Sequence, residues 1–332
     1  MKTRRIGPNG PEVSAIGVGA MSFGDFYGPT TEENSYAILD AALAAGVTHI
    51  DTANVYGMGR SEKAIGTWLA ANPGAREKLH IATKAAISKD AEGNRIHDNS
   101  RDHLEAELDK SLEKMGIDHV DLFYVHRRET ERPIEEVTET LAALVETGKC
   151  RAFGFSEIAP SSLRRAASVA PVAAVQSEYS LASRGPELGL VQACAELGTT
   201  LVAFAPVGRA FLTDTPIEAE RVPELGFLKG NPRFQEPNYS ANIEITDRFR
   251  ALAAEMGEPA AALAIAWLLT RQGQVLPIPG TRSVSHFREL VRGAEIDLSA
   301  EQLARIDEVL PVGWAHGDRY SVGQWAGPER YC

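Results

Sequence analysis

The feature that most constrains this chain is an alternation that runs along its whole length. Eight short apolar runs rich in β-branched residues, at 16–19, 48–51, 80–84, 120–126, 152–156, 173–177, 200–206 and 275–279, are separated by longer segments with helical periodicity. Short buried runs followed by amphipathic helices are the pattern of βα units, whose crossover helices return the chain to the same end of the sheet and make its strands parallel. Helices are expected at 31–45, 102–114, 134–146, 162–169, 186–196 and 259–271, several opened by Ser, Thr or Pro. Eight units close a ring, so the expected architecture is α/β, a (β/α)8 TIM barrel preceded by a small N-terminal β-hairpin turning at Asn9-Gly10.

Closed α/β barrels run to about 250 residues or more as one unit. No Pro/Gly/Ser-rich linker divides the 332 residues, so 1–332 are read as a single domain. The main irregular insertion is 211–240, with Pro216, Pro223, Pro232 and Pro237; it follows the seventh run, where long loops shape substrate pockets. The tail from 313 to 332 carries Trp314, His316, Arg319, Tyr320 and Trp325. It is too aromatic to be a free solvated tail and is expected to fold back over the barrel mouth.

A net charge of -11 repels phosphate backbones and anionic membranes, which argues against nucleic acid as a partner. Cys150, Cys194 and Cys332 form no CxxC pair, so neither a disulfide framework nor a zinc site is indicated, and a reducing cytoplasm fits. The basic N-terminus is followed by Pro8-Asn9-Gly10-Pro11 rather than an apolar signal core. The most apolar run, 260–269, is too short for a bilayer that needs ~20 residues. The expectation is a cytoplasmic protein acting on a small molecule, a monomer by default, without membrane, nucleic-acid or metal partners.

The ends of the second, third and fourth runs carry Asp51, Lys84 and His126, and Tyr56 follows on the loop after Asp51. Singly, each has a structural reading: a loop cap, an ion pair, a satisfied core histidine, packing. Strand ends in a barrel converge on one face, however, and together the four make a proton relay. A Lys beside a Tyr lowers the phenol's pKa from ~10, an Asp keeps that Lys charged, and a His hydrogen-bonds a carbonyl oxygen.

The segments carrying this constellation are His49-Ile50-Asp51-Thr52-Ala53-Asn54-Val55-Tyr56-Gly57, Thr83-Lys84 and Tyr124-Val125-His126-Arg127. With Phe153-Gly154-Phe155-Ser156, Val175-Gln176-Ser177-Glu178-Tyr179-Ser180, Phe204-Ala205-Pro206-Val207-Gly208-Arg209-Ala210-Phe211-Leu212 and Ile278-Pro279-Gly280-Thr281-Arg282, they resemble the aldo-keto reductase superfamily in order and spacing. The run Asn231-Pro232-Arg233-Phe234-Gln235 looks like the subgroup of pyridoxal reductases and perakine-reductase-like enzymes.

The resemblance implies NADPH-dependent reduction of aldehydes or ketones, with Asp51, Tyr56, Lys84 and His126 as the catalytic tetrad and Tyr56 as general acid in reduction. It further implies that Ser156 and Gln176 bind the nicotinamide carboxamide, that Phe204 stacks on its ring, and that Arg282 meets the adenosine 2′-phosphate. The implied cofactor set also includes Gly19, Ala20, Met21, Asp51, Ala205, Pro206, Val207, Gly208, Arg209, Gly280, Thr281, His286 and Glu289. Met21, Phe23 and Arg127 are expected to line the substrate pocket.

Two positions depart from the family's pattern: Glu157 stands where many members have Asn next to the carboxamide-binding Ser, and Leu290 where an Asn after Glu289 usually meets the adenine. Gly17-Val18-Gly19 lacks the later glycine and the acidic residue of a dinucleotide fingerprint, and no Tyr-x-x-x-Lys pair is present. A second functional class stays open, an NADPH-binding redox sensor or regulatory subunit resembling channel β-subunits.

Overall fold

The computed structural model describes residues 1–271 and 274–331; Cys332 lies outside them. All eight expected runs form strands: Gly17–Gly19, His49–Asp51, His80–Ala85, Leu122–Val125, Phe153–Ser156, Ala174–Glu178, Thr200–Phe204 and Val275–Pro277. Each pairs in parallel with its sequence neighbour, giving one sheet in chain order. The first and eighth strands meet where the Gly19 amide donates to the Pro279 carbonyl at 2.9 Å. Side chains are sterically forbidden at this seam: a Cβ on Gly19 would stand 2.5 Å from the Ile278 carbonyl oxygen, and one on Gly280 would stand 2.6 Å from that of Gly19.

Strand side chains alternate between two cores, as the two-residue period requires. Outward-facing Val18, Ile50, Ile81, Phe123, Val125, Phe155, Val175, Leu201 and Val275 pack beneath the helices. Inward-facing Ala82, Leu122, Tyr124, Ala174, Val202 and Leu276 fill the ring together with Ile6 and Val13. Those last two come from the N-terminal hairpin, Thr3–Arg5 paired with Glu12–Ser14, which closes the bottom of the barrel. Asn9-Gly10 lies in its connection, but the turn is wider than a two-residue one, closing with the Ile6 amide on the Pro11 carbonyl at 3.0 Å.

The helices begin where capping chemistry places them. Thr31 and Ser100 accept from the amides three residues on, Asn34 and His103, and open Glu32–Ala44 and Arg101–Met115. Ile134–Glu146, Pro160–Ala167 and Ala260–Leu269 fall close to expectation. The segment expected as one helix at 186–196 is two pieces, Gly185–Leu188 and Leu190–Leu197, because Gly189 breaks it at φ 128°. Further helices span Arg60–Ala71, Asn238–Glu255, Val284–Arg292 and Ala300–Val309.

The insertion folds around its own small core of Phe211, Val222, Leu225, Leu228 and Phe234. The tail returns over the barrel mouth: Trp314 donates its indole N–H to the Leu181 carbonyl at 2.8 Å, Tyr320 is buried, and the Glu329 amide bonds the Glu157 carbonyl at 2.8 Å. Among the described residues no single helix is long and apolar enough to cross a membrane.

Candidate active site

The C-terminal ends of the strands open into a cavity of about 1080 Å³. Asp51 ends the second strand, Lys84 lies in the third, His126 directly follows the fourth, and Tyr56 begins a tight turn after the second. The turn needs Gly57, whose φ is 59° and whose amide nitrogen would stand 2.5 Å from a Cβ on Gly24.

Lys84 is fully buried and donates to Asp51, to the Thr52 carbonyl at 2.7 Å and to the Tyr56 hydroxyl at 3.4 Å. The second oxygen of Asp51 accepts from the Gln176 amide at 2.8 Å. The Tyr56 and His126 rings meet edge to face, centroids 5.7 Å apart, and both line the cavity. The sequence-predicted tetrad is therefore one connected cluster, with the Lys–Asp pair beneath and Tyr56 and His126 facing ligand space.

Burial governs the ionisation of this cluster. Desolvation favours a proton on Tyr56, and although Lys84 opposes it the phenol is held above its usual range. The expected lowering by Lys84 is thus outweighed. Burial also raises Asp51 against the pull of Lys84 and Gln176. Lys84 loses hydration, but Asp51 more than compensates and raises its pKa, so the ammonium keeps its charge. Burial, then the neighbouring Arg127, pushes His126 well below the usual imidazole range and leaves it neutral.

Beside the tetrad, Ser156 accepts from the Arg127 guanidinium at 3.0 Å while keeping its own hydroxyl proton free to donate. Phe204, at the end of the seventh strand, is followed by a compact loop with positive φ at Ala205, Gly208, Arg209 and Ala210. Arg209 is locked there by Glu178 at 2.6 Å. Glu157, at φ 57°, turns away from the ring of strands to pair with Arg319 of the tail and to accept from the Glu178 amide at 2.8 Å. Burial opposes the charge on Glu178, yet Arg209, Arg319 and Arg233 outweigh it and hold its carboxyl below the usual range.

At the far end, Ser283 caps Val284–Arg292, so the positive end of a helix faces the cavity next to Arg282. Arg282 donates to the Pro29 carbonyl at 2.9 Å, and burial followed by the nearby Arg221 lowers its pKa. Neither arginine has an ion-pair partner among the described residues. Two guanidiniums without a carboxylate partner and a helix N-terminus suit a phosphate, and the extended cleft from there to Tyr56 fits a dinucleotide.

Most of the cofactor positions read from the sequence line this cavity: Gly19, Met21, Asp51, Ser156, Gln176, Phe204, Ala205, Pro206, Val207, Arg209, Gly280, Thr281, Arg282, His286 and Glu289, as does Arg127. Ala20 and Gly208 do not; Ala20 is buried with its carbonyl bonded to Ser61 at 2.9 Å, and Gly208 packs near Ala182 and Leu212. Phe23, expected at the substrate, is buried in the outer core instead, and Phe26 and Tyr27 of the same loop reach the cavity. Sequence reading also missed Arg221, Phe227 and Gln324, although the proline-rich insertion and the aromatic tail, with its Tyr320 that also lines the cavity, pointed to the segments that carry them.

Known proteins are similar to this chain in sequence and fold. The sequence profile of the aldo/keto reductase family matches residues 15–311. The aldo-keto reductase yakc of Schizosaccharomyces pombe, whose name specifies NADP(+), is 38% identical over 97% of this chain and 95% of its own length. A probable aldo-keto reductase of Glycine max is 36% identical over 96% and 92%. Among solved structures, the glycerol dehydrogenase of Gluconobacter oxydans superposes with a TM-score of 0.80 at 27% identity, covering 93% of this chain and 94% of that one. A thermostable aldo-keto reductase in complex with the inhibitor epalrestat gives 0.74 at 28%, covering 93% and 100%. A barrel whose tetrad sits at the strand ends and whose sequence matches along nearly its whole length leaves one conclusion: this chain belongs to the aldo/keto reductase family.

Proposed function

We propose that the protein reduces aldehydes or ketones with NADPH, reversibly, with Tyr56 as proton donor in reduction and acceptor in oxidation. The observation that carries this reading is the Tyr56 hydroxyl on the cavity wall, backed by the buried, charged Lys84 and flanked by neutral His126. NADPH, when bound, supplies the hydride. Ser156 and Gln176 fit its carboxamide, Phe204 its ring, and Arg282, Arg221 and the helix at Val284 its phosphates. The preference for NADPH over NADH draws on the guanidinium of Arg282 on the cavity wall, which no carboxylate among the described residues neutralises, and on the NADP(+) in the yeast relative's name.

Tyr56 and His126 each offer one hydrogen bond to a carbonyl oxygen, so negative charge growing on that oxygen is met by fixed donors in a site largely shielded from water. The proton then passes from Tyr56 Oη, and Lys84 stabilises the phenolate left behind. Asp51, Thr52 and Gln176 hold that ammonium in place. In the oxidative direction the same atoms run in reverse.

The test follows the loss of NADPH absorbance, and separately that of NADH, with a panel of aldehydes and ketones that includes pyridoxal. Turnover preferring NADPH is expected. Tight NADPH binding with no turnover of any carbonyl would replace this reading with a sensor or regulatory role.

A further inference from the structure

The hairpin after the third strand, Ile87–Lys89 paired with Arg95–His97, breaks a rule of sheet construction. Its register sets Lys89 directly opposite Arg95, and like charges across a rung repel. Both line the cavity, as does Arg127 at the end of the fourth strand. Among the described residues none of the three has an ion-pair partner; Arg127 bonds only the His126 carbonyl at 2.7 Å and Ser156. Lys89 and Arg95 are exposed on the cavity wall and Arg127 is half-buried, whereas the neighbouring Arg209 and Arg319 are neutralised, by Glu178 and Glu157. In a chain with 45 acidic and 34 basic residues, an uncompensated basic cluster in a cleft is an exception.

His97 shares the hairpin face with Arg95, and its Nε2 is buried without a partner. Burial, then Arg95 and Arg127, pulls its pKa to about 4, so it is a neutral ring beside two cations. The tail fixes one side of the site, packing against His97 and Arg127, where a Cβ on Gly327 would stand 2.6 Å from the His97 ring and 3.0 Å from Arg127 Cβ. Its position separates it from the cofactor's phosphate. Arg282 follows the eighth strand, and Arg127 follows the fourth, diametrically across the ring. Arg127 also adjoins His126, and its charge acts on both Tyr56 and His126.

We propose that Lys89, Arg95 and Arg127 form an anion subsite for the substrate, so that the preferred substrates are aldehydes or ketones bearing a carboxylate or phosphate. This rests on the reductase reading above. A guanidinium fork grips either anion with two parallel hydrogen bonds, and Arg127 retains N–H donors beyond the two given to His126 and Ser156.

The test compares matched substrates in the same preparation: 4-carboxybenzaldehyde against 4-methylbenzaldehyde, succinic semialdehyde against butanal, and glyceraldehyde 3-phosphate against glyceraldehyde, which separates carboxylate from phosphate. The expected readout is the ratio of kcat/KM for the charged over the neutral member. It exceeds one in the parent protein, decreases with added salt, and falls about tenfold in Arg95→Gln, chiefly through KM. Arg95→Lys retains most of it and Arg95→Glu lowers it further. Because the ratio is internal to each preparation, a partly misfolded variant does not mimic the effect. Neutral carbonyls reduced as well as charged ones, or a ratio unmoved in Arg95→Gln and Lys89→Gln, would overturn the subsite alone. Absence of turnover for both members of every pair would overturn the reductase reading beneath it.

Discussion

Lys84 Nζ stands 3.4 Å from the Tyr56 hydroxyl but only 2.7 Å from the Thr52 carbonyl, with Asp51 closer still. The ammonium is therefore positioned by groups other than the phenol, and Tyr56 can exchange its proton without releasing its neighbour.

Replacing Tyr56 with Phe removes that proton and little volume. We expect kcat to fall by roughly 10² to 10⁴ while the NADPH dissociation constant, read from fluorescence titration, stays within a few-fold. A variant retaining most of its kcat would place the proton donor elsewhere.

The raised pKa of Tyr56 keeps the proposed donor protonated through neutral pH, and the lowered pKa of His126 keeps that ring uncharged there. Carbonyl reduction is accordingly expected to show no enzyme ionisation between ~pH 6.5 and 9, the range in which an unperturbed histidine would begin to titrate. A pH profile of kcat/KM with a substrate that does not itself ionise checks this. A limb with an apparent pKa near the ordinary histidine value would show that His126 changes charge in the reaction.

For Arg282→Ala, the loss of a charge-assisted contact to a phosphate predicts NADPH binding weakened by about tenfold or more with NADH nearly unaffected. Equal losses for the two cofactors would remove the assignment to the 2′-phosphate.

His49 and His80 face each other inside the fold with Nδ1 atoms 3.0 Å apart. Burial holds His80 to about 4 and His49 well below the usual range, the mutual proximity adding to the latter. Both are depressed in the folded state, so their stabilising contribution is present above ~6.5, the unfolded value, and is lost as pH falls toward the folded ones. Urea unfolding should show stability dropping by about 1.4 kcal/mol per pH unit for each such histidine in that window. His80→Gln should flatten the slope; a slope unchanged in the variant would mean that other groups set it.

Arg319→Met strips the tail's partner from the almost fully buried Glu157. A buried carboxylate left without its cation costs about 3 kcal/mol or more, measurable as a lower urea midpoint. A midpoint within experimental error of the parent's would mean that the Arg319–Glu157 pair adds nothing to the tail's other contacts.

The eight strands were legible because barrel strands are covered on both faces and read as near-continuous apolar runs. That Asp51, Tyr56, Lys84 and His126 would come together was legible because three of them sit at or next to strand ends. What failed has local causes. Phe23, Phe26 and Tyr27 lie in a loop without periodicity, so only the observed turn at Ala20–Gly24 shows which ring enters the core and which the cavity. The helix expected at 186–196 is split by one residue, Gly189, whose added Cβ would lie 3.3 Å from Pro160. The hairpin carrying Lys89 and Arg95 is too short and polar to announce itself as sheet. The direction of the Tyr56 shift depends on depth of burial set against a nearby charge, and depth is a property of the folded ring.

The seam between Gly19 and Pro279 also bears on how the molecule comes to be made. A ribosome delivers the first strand long before the eighth, and the edge of Gly17–Gly19 that the eighth strand will cover waits through nearly all of synthesis. An uncovered strand edge invites pairing with the wrong chain, and contacts this distant in sequence form late. The length of this strand, three residues with two of them glycine, offers a poor template for such mispairing, which makes Gly19, one of the glycines that permit the close approach at the seam, a safeguard during translation as well.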